Sequence, residues 1–150
     1  MKTRARRRTF AYFDTSVIVK NYIREAGSDR ARQLLRTHRA VTSAIAALES
    51  ISAFRRNLAS NVIDDAGYSA ILNRFETDRR KLDVLELTDS ILTSAEQYVS
   101  NYNVRALDAI HLATAMMTGV RFPKQLSFVT SDSIQRDAAL QLGLKIVWVE

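Results

Sequence analysis

The chain has 150 residues, 47% of them hydrophobic and 25% charged, which fits one globular domain and excludes a chain that is disordered as a whole. It contains no cysteine, which excludes a disulfide framework and a thiolate zinc site. The net charge is +6, and 17 of the 22 basic residues are arginine, which suits bidentate contacts with phosphate and makes nucleic acid a candidate partner.

Strands and helices alternate along the first part of the chain. The predicted strands are "TFAYFD" (9–14), "AVT" (40–42) and "LDVLELT" (82–88). The predicted helical segments are "TSVIVKNYI" (15–23, a helix or a turn), "SDRARQLLRT" (28–37), "AIAALESISAFRRNLA" (44–59) and "DDAGYSAILNRFETDRRK" (64–81). Ser28 and Ser43 are the expected N-caps of the second and third segments.

The second part continues the alternation. "DSILTSAEQYVSNY" (89–102) and "VRALDAIHLATAMM" (104–117) predict a helical pair, and "SIQRDAALQL" (133–142) a last helix that Gly143 ends. "QLSFVTSD" (125–132) and "KIVWV" (145–149) predict strands. We therefore expect an α/β fold, a three-layer α/β/α sandwich with a central parallel sheet of four or five strands, as a single domain over 1–150 with a basic N-terminal arm at 1–8.

A carboxylate interrupts the most apolar of these helices. Asp108 shares a helix face with Val104, Leu112 and Ala115, which predicts that it is buried. An unpaired buried charge costs several kcal/mol by ordinary estimates, so something must compensate it.

Two more acids follow predicted strands. Asp14 and Asp132 each end an apolar run, at the edge where parallel α/β sheets bind ligands. If Asp108 and Glu49, from the third predicted helix, meet them there, four carboxylates would repel unless a hard divalent cation sat among them.

Each acid also has a purely structural alternative. Asp14 could cap a turn, Asp132 could cap a helix, Glu49 could be a solvated helix residue, and Asp108 could be a buried acid with a protein partner.

Four stretches in this order resemble a known family. They are "YFDTSVIVKNYIREAGS", "VTSAIAALESISAFRR", "RALDAIHLATA" and "FVTSDSIQRDAALQLGLKIV", and they resemble the PIN-domain family, in particular the VapC-type toxin ribonucleases. The resemblance covers the chain from about Phe10 to Val149.

The resemblance implies a fold, an activity and a site. It implies a PIN-like fold and an Mg²⁺- or Mn²⁺-dependent endoribonuclease, the toxin of a toxin–antitoxin pair, that hydrolyses RNA with a metal-activated water. It further implies an antitoxin partner and a homodimer. The metal-binding and catalytic acids would be Asp14, Glu49, Asp108 and Asp132. Supporting residues beside them would be Ser16, Thr130 and His111, the last a core or supporting histidine rather than a catalytic one.

The basic residues predict contacts with RNA. Apart from the four candidate site acids, twelve acidic residues stand against 22 basic ones, which predicts an acidic site on a basic surface. Arg6, Arg7 and Arg8 of the arm and Arg105 beside Asp108 are the candidate RNA-binding residues. The alternative for the arm is a solvated tail.

Two other functions compete with the ribonuclease. One is a catalytically silent PIN-like scaffold that binds RNA or protein. The other is a receiver-like phospho-acceptor, which the sequence disfavours because Asp14 has no acidic neighbour and Lys145 precedes the last strand instead of following it.

No apolar run reaches the roughly 20 residues of a membrane span, so we expect a cytoplasmic protein.

Overall fold

Five parallel strands form one sheet in the computed structural model, which describes residues 8–121 and 126–150. The strands are β1 (Phe10–Phe13), β2 (Arg39–Ser43), β3 (Asp83–Leu85), β4 (Ser127–Thr130) and β5 (Lys145–Trp148). Their order across the sheet is β3-β2-β1-β4-β5, and every neighbouring pair is parallel. All the amino ends therefore lie at one edge of the sheet and all the carboxyl ends at the other.

Helices connect the strands. They are α1 (Thr15–Lys20), α2 (Ser28–Thr37), α3 (Ile45–Ala59), α4 (Asp65–Asp78), α5 (Asp89–Asn101), α6 (Ala106–Arg121) and α7 (Ser133–Gln141), with a 3-10 turn at Arg79–Lys81. The predicted α/β sandwich with a parallel sheet is confirmed, and the sheet has five strands.

The alternation of side chains along β1 separates two hydrophobic cores. Ala11 and Phe13 belong to a core that includes residues of α1, α2, α3 and α4. Tyr12 points to the opposite face and packs in a core with residues of α6 and α7. Because both faces are covered by helices, Ala11, Tyr12 and Phe13 of β1 are fully buried, as the continuous apolar sequence predicts.

The predicted cap of α2 is wrong. Gly27, with φ of 82°, occupies the N-cap position, and Ser28 is the first helical residue. The Ser28 hydroxyl instead accepts from the Glu25 N–H and donates to the Ile23 carbonyl, within the preceding turn. A Cβ on Gly27 would lie 2.4 Å from the backbone carbonyl carbon of Glu150, so contact with the end of the chain, which local sequence does not reveal, also favours glycine there.

Other boundaries differ by a few residues. Ser43 is the last residue of β2, and its hydroxyl accepts a 3.4 Å bond from the Ile45 N–H, while Ala44 holds the N-cap position of α3. The segment predicted as one helix over 64–81 ends as an α-helix at Asp78.

Arg8 is exposed, and residues 1–7 of the predicted arm lie outside the described residues. Within 8–121 and 126–150, no helix is long and apolar enough to cross a membrane.

Candidate active site

The parallel topology brings the predicted acids to the carboxyl edge of the sheet. Asp14 directly follows β1 and caps α1, and Asp132 follows β4 and caps α7. Glu49 lies in α3, which leaves the same edge after β2, and Asp108 lies in the first turn of α6. Hydrogen bonds and ion pairs link Asp14, Asp132 and Asp108 into one network, while Glu49 belongs to a second hydrogen-bonded group.

Asp14 is the most deeply buried of the four acids, with no exposed surface. Its Oδ1 accepts from the Ser16 hydroxyl at 2.6 Å and the Val17 N–H at 3.3 Å, and its Oδ2 accepts from the Thr130 hydroxyl at 2.7 Å. Burial raises the pKa of Asp14, while the His111 ring and these hydrogen bonds act in the opposite direction. No lysine or arginine of the described residues forms an ion pair with it. Asp14 is therefore a buried acid whose partners inside the described chain are hydrogen-bond donors.

The residues predicted beside the first acid also join β4 to α1. The Thr130 hydroxyl accepts from the Asp132 N–H at 3.0 Å, and the Ser131 hydroxyl and N–H both approach the Ser16 hydroxyl at about 3 Å. Asp132 uses Oδ1 to accept from the N–H groups of Ile134 and Gln135. Asp132 is thus a helix cap, as its structural alternative predicts, and its second oxygen lies near Arg105, which also contacts Asp108.

Asp108 is 6% exposed and has two protein partners. Its Oδ1 accepts from Nε2 of Gln135 at 3.0 Å, and its Oδ2 accepts from Nε of Arg105 at 3.2 Å. Nη2 of Arg105 also lies 3.9 Å from Oδ2 of Asp132, and the Arg105 side chain is 77% exposed. These two carboxylates raise the pKa of Arg105. Arg105, predicted to contact RNA, is therefore also a counter-ion for two of the acids.

Glu49 is held by a separate hydrogen-bonded group. Its Oε1 accepts from the Thr15 hydroxyl at 2.7 Å and lies 2.6 Å from Nε2 of His111. Nδ1 of His111 lies 2.8 Å from the Tyr12 hydroxyl, whose pKa burial raises well above its ordinary value. The neutral phenol therefore donates to Nδ1, which leaves Nε2 to donate to Glu49. Burial acts to raise the pKa of Glu49, but its hydrogen bonds to His111 and Thr15 and the Arg105 cation nearby outweigh burial and lower that pKa.

Sequence reasoning missed three members of this network. Gln135 is buried three residues after Asp132, and Thr15 stands between Asp14 and Ser16. Tyr12 lies in the buried strand β1, and its hydroxyl orients His111. Thr15 belongs to the "DTS" motif at 14–16, and this motif is the one sequence feature that could have indicated its role. The roles of Gln135 and Tyr12 depend on how α6 and α7 pack, which no local pattern reveals.

The carboxylate oxygens of the four acids are suitable ligands for a hard cation, but the described side chains are not arranged as a preformed metal site. In the two described stretches, no three acidic or imidazole groups converge closely enough to hold one metal ion. All four acids offer carboxylate oxygens, the ligands that Mg²⁺ and Mn²⁺ prefer. Since Arg105 is exposed, its guanidinium can leave Asp108 and Asp132 without breaking a packed core.

The predicted RNA-binding arginines are not all in one place. Arg105 lies at the carboxyl edge with the acids. Arg8 lies two residues before β1, at the opposite edge. Arg6 and Arg7 lie outside the described residues.

Comparison with known proteins identifies the family of the chain. The PIN domain family matches residues 11–141. Ribonuclease VapC46 of Mycobacterium tuberculosis is 37% identical over 139 residues, which cover 91% of this chain and 95% of that protein. Ribonuclease VapC35 of the same species is 33% identical over 139 residues, covering 91% and 94%. The chain therefore belongs to the PIN domain family, in its VapC group, and the resemblance drawn from the four motifs is confirmed.

Solved structures share the fold. The chain superposes on FitAcB from Neisseria gonorrhoeae with a TM-score of 0.68 at 17% identity, covering 91% of this chain and 95% of that one. It superposes on a chain of a toxin–antitoxin complex from Klebsiella pneumoniae with a TM-score of 0.61 at 18% identity, covering 82% and 87%.

Proposed function

We propose that the protein is a VapC-type toxin: an Mg²⁺- or Mn²⁺-dependent endoribonuclease that hydrolyses RNA phosphodiester bonds. The observation that carries the proposal is Asp14, a fully buried carboxylate with no cationic partner among the described residues, at the same edge of the sheet as Asp132, which shares Arg105 with Asp108. An unneutralised buried charge is costly, and a cation at this edge would offset that cost. The two ribonucleases related to this chain support the same chemistry.

Asp14, Glu49, Asp108 and Asp132 are the residues that would hold the cation. When bound, Mg²⁺ or Mn²⁺ supplies a water of lowered pKa and neutralises charge at the phosphodiester. No side-chain nucleophile is needed, and the chain contains no cysteine to provide one.

The surrounding residues fix the acids in place. Ser16 and Thr130 hold the two oxygens of Asp14, and His111, oriented by Tyr12, holds one oxygen of Glu49. Because each acid keeps an oxygen bonded to the protein, its other lone pairs are pre-oriented at little entropic cost. Arg105, once released from the acids, is placed to bind an RNA phosphate.

Cleavage of RNA tests the proposal. We expect the wild-type protein to cut a mixture of transfer and ribosomal RNA with Mn²⁺ or Mg²⁺, and to stop with EDTA. Asp14→Asn should abolish cutting, while Asp137→Asn, a change of an exposed acid on α7 that pairs with Arg136, should retain it. Cutting that persists in EDTA would contradict the mechanism. Binding of RNA without any cutting would support the silent scaffold.

Partners follow from the same proposal. One similar structure is a toxin–antitoxin complex, so we propose an antitoxin that covers the acidic edge, and a homodimer of this chain in the cytoplasm. Co-expression with the product of a neighbouring gene that encodes a small protein should block cleavage, and light scattering of the purified chain should give twice the monomer mass. A monomer, or cleavage that the neighbour leaves unchanged, would contradict these two assignments.

A further inference from the structure

A basic pocket lies at the opposite edge of the sheet from the acids. Its volume is about 590 Å³, and its lining includes the residues just before β1, β2 and β3, together with the C-terminal ends of α2 and α4. Since the strands are parallel, these are amino ends, separated from Asp14 by the length of β1. A four-residue strand spans about 13 Å. The pocket is therefore a separate surface from the candidate active site.

The lining carries a surplus of positive charge. Six formally cationic side chains line it, accompanied by His38: Arg8, Arg32, Arg36, Arg39, Arg74 and Lys81. Asp78 is the one carboxylate among the lining residues that the structure describes, and it pairs with Arg74 at 3.5 Å and Lys81 at 3.1 Å.

Carboxylates outside the lining neutralise two more of these cations. Arg39 pairs with Asp83 at 2.7 Å, and Arg32 lies 3.6 Å from Asp29, which it shares with Arg24. Arg8 and Arg36 form no ion pair with any described residue, and both are exposed. The positive charges of Arg8 and Arg36 are therefore available to pair with the phosphates of a polyanion.

We propose that this pocket, called the amino-edge pocket below, binds the phosphodiester backbone of the RNA substrate as a second contact site. The proposal rests on the ribonuclease function proposed above and extends it to a surface remote from the acids. Its cations come from three separate stretches of the chain, at residue 8, 32–39 and 74–81, so several side chains are available for contacts to several phosphates.

The pocket favours backbone recognition over recognition of a free nucleotide. Tyr22 is the one aromatic side chain among the described lining residues that could stack on a base, apart from His38. Its ring already lies under the Arg74 guanidinium at 5.0 Å and packs edge-on against Phe54 and Phe75. Because the Tyr22 ring is already covered, a base would gain little stacking energy in this pocket. A phosphate, in contrast, can form an ion pair with each arginine that has no acidic partner.

The sequence before the pocket continues the same charge. Arg8 lines the pocket, and Arg4, Arg6 and Arg7 precede it within a few residues. The charge of the sequence on the amino side of Arg8 is therefore of the same sign as that of the pocket, which suits a polyanion.

Paired arginine variants test the proposal in the Asp14→Asn background, where RNA is not cut. Arg8→Gln/Arg36→Gln removes two pocket arginines. Arg30→Gln/Arg80→Gln removes two exposed arginines that form no ion pair with described residues and do not line the pocket. The two pairs change net charge equally. Circular dichroism melting confirms that each variant is folded.

The readout is fluorescence anisotropy with a labelled single-stranded RNA of about 40 nucleotides at several salt concentrations. Loss of two phosphate contacts should weaken binding about 25-fold at about 0.1 M salt and lower the slope of log K against log salt by about 1.4. The control pair should change both quantities far less.

Two results would overturn the proposal. Equal losses in both pairs would mean that general charge, and not the pocket, binds RNA. If the pocket pair kept its RNA affinity but lost thermal stabilisation by inorganic triphosphate, the pocket would be a small-anion site. Both readouts are independent of cleavage, so they are distinguishable from failure of the proposed ribonuclease function.

Discussion

Replacing Arg105 with glutamine should tighten the binding of Mn²⁺ in the absence of RNA. The guanidinium lies 3.2 Å from Asp108 and 3.9 Å from Asp132, so it competes with a cation for two of the four acids. Exposed ion pairs contribute about 0.2–1 kcal/mol, and the Arg105 side chain is 77% exposed. Removing that competition should lower the Kd for Mn²⁺ by about 1.4- to 5-fold.

Isothermal titration calorimetry with Mn²⁺ measures this change directly. Arg121→Gln is the matched control, because it removes an exposed arginine from the other end of α6. The difference between the two variants should shrink as salt is raised, since screening weakens exposed pairs. If Arg105→Gln bound Mn²⁺ no more tightly than Arg121→Gln, Arg105 would not compete with the cation.

Three further predictions concern stability. Mn²⁺ at a hundredfold excess over its Kd should stabilise the wild-type protein against unfolding by about 2.7 kcal/mol. Calorimetry should show this as a rise of roughly 5–11 °C in Tm, and Asp14→Asn should abolish the rise. In EDTA, the raised pKa of Asp14 means that its contribution is most favourable below the ordinary carboxyl pKa and is lost as pH rises through the folded value. Urea unfolding over a pH series should therefore show wild type losing stability relative to Asp14→Asn as pH rises, and parallel curves would contradict this. Tyr12→Phe should destabilise by about 1–3 kcal/mol in urea, because it leaves buried Nδ1 of His111 without its donor, and an unchanged midpoint would refute that role.

Much of the fold could be predicted because local patterns and global topology agree. Continuous apolar runs such as "TFAYFD" indicate strands covered on both faces, and the helical segments between them require parallel pairing. Asp14 and Asp132 could be placed at one edge on that basis alone. Glu49 and Asp108 needed the family resemblance, since a helical acid carries no sign of which edge it faces.

Contacts between distant elements could not be predicted. The pairing of Arg105 with two acids depends on how α6 and α7 approach each other, and the glycine before α2 depends on the end of the chain. The amino-edge pocket is a similar case. Its arginines are scattered over α2, α4 and strand ends, so they form one surface only after the parallel sheet is assembled.

Binding of Mn²⁺ to single-acid variants tests most directly whether the four carboxylates share a cation. Calorimetry should show that Asp14→Asn, Glu49→Gln, Asp108→Asn and Asp132→Asn each weaken binding by more than about tenfold, the smallest loss seen when even a supporting partner of a metal ligand is removed. Asp137→Asn should bind like the wild-type protein. Affinity unchanged across the four variants would mean that these acids hold no common ion.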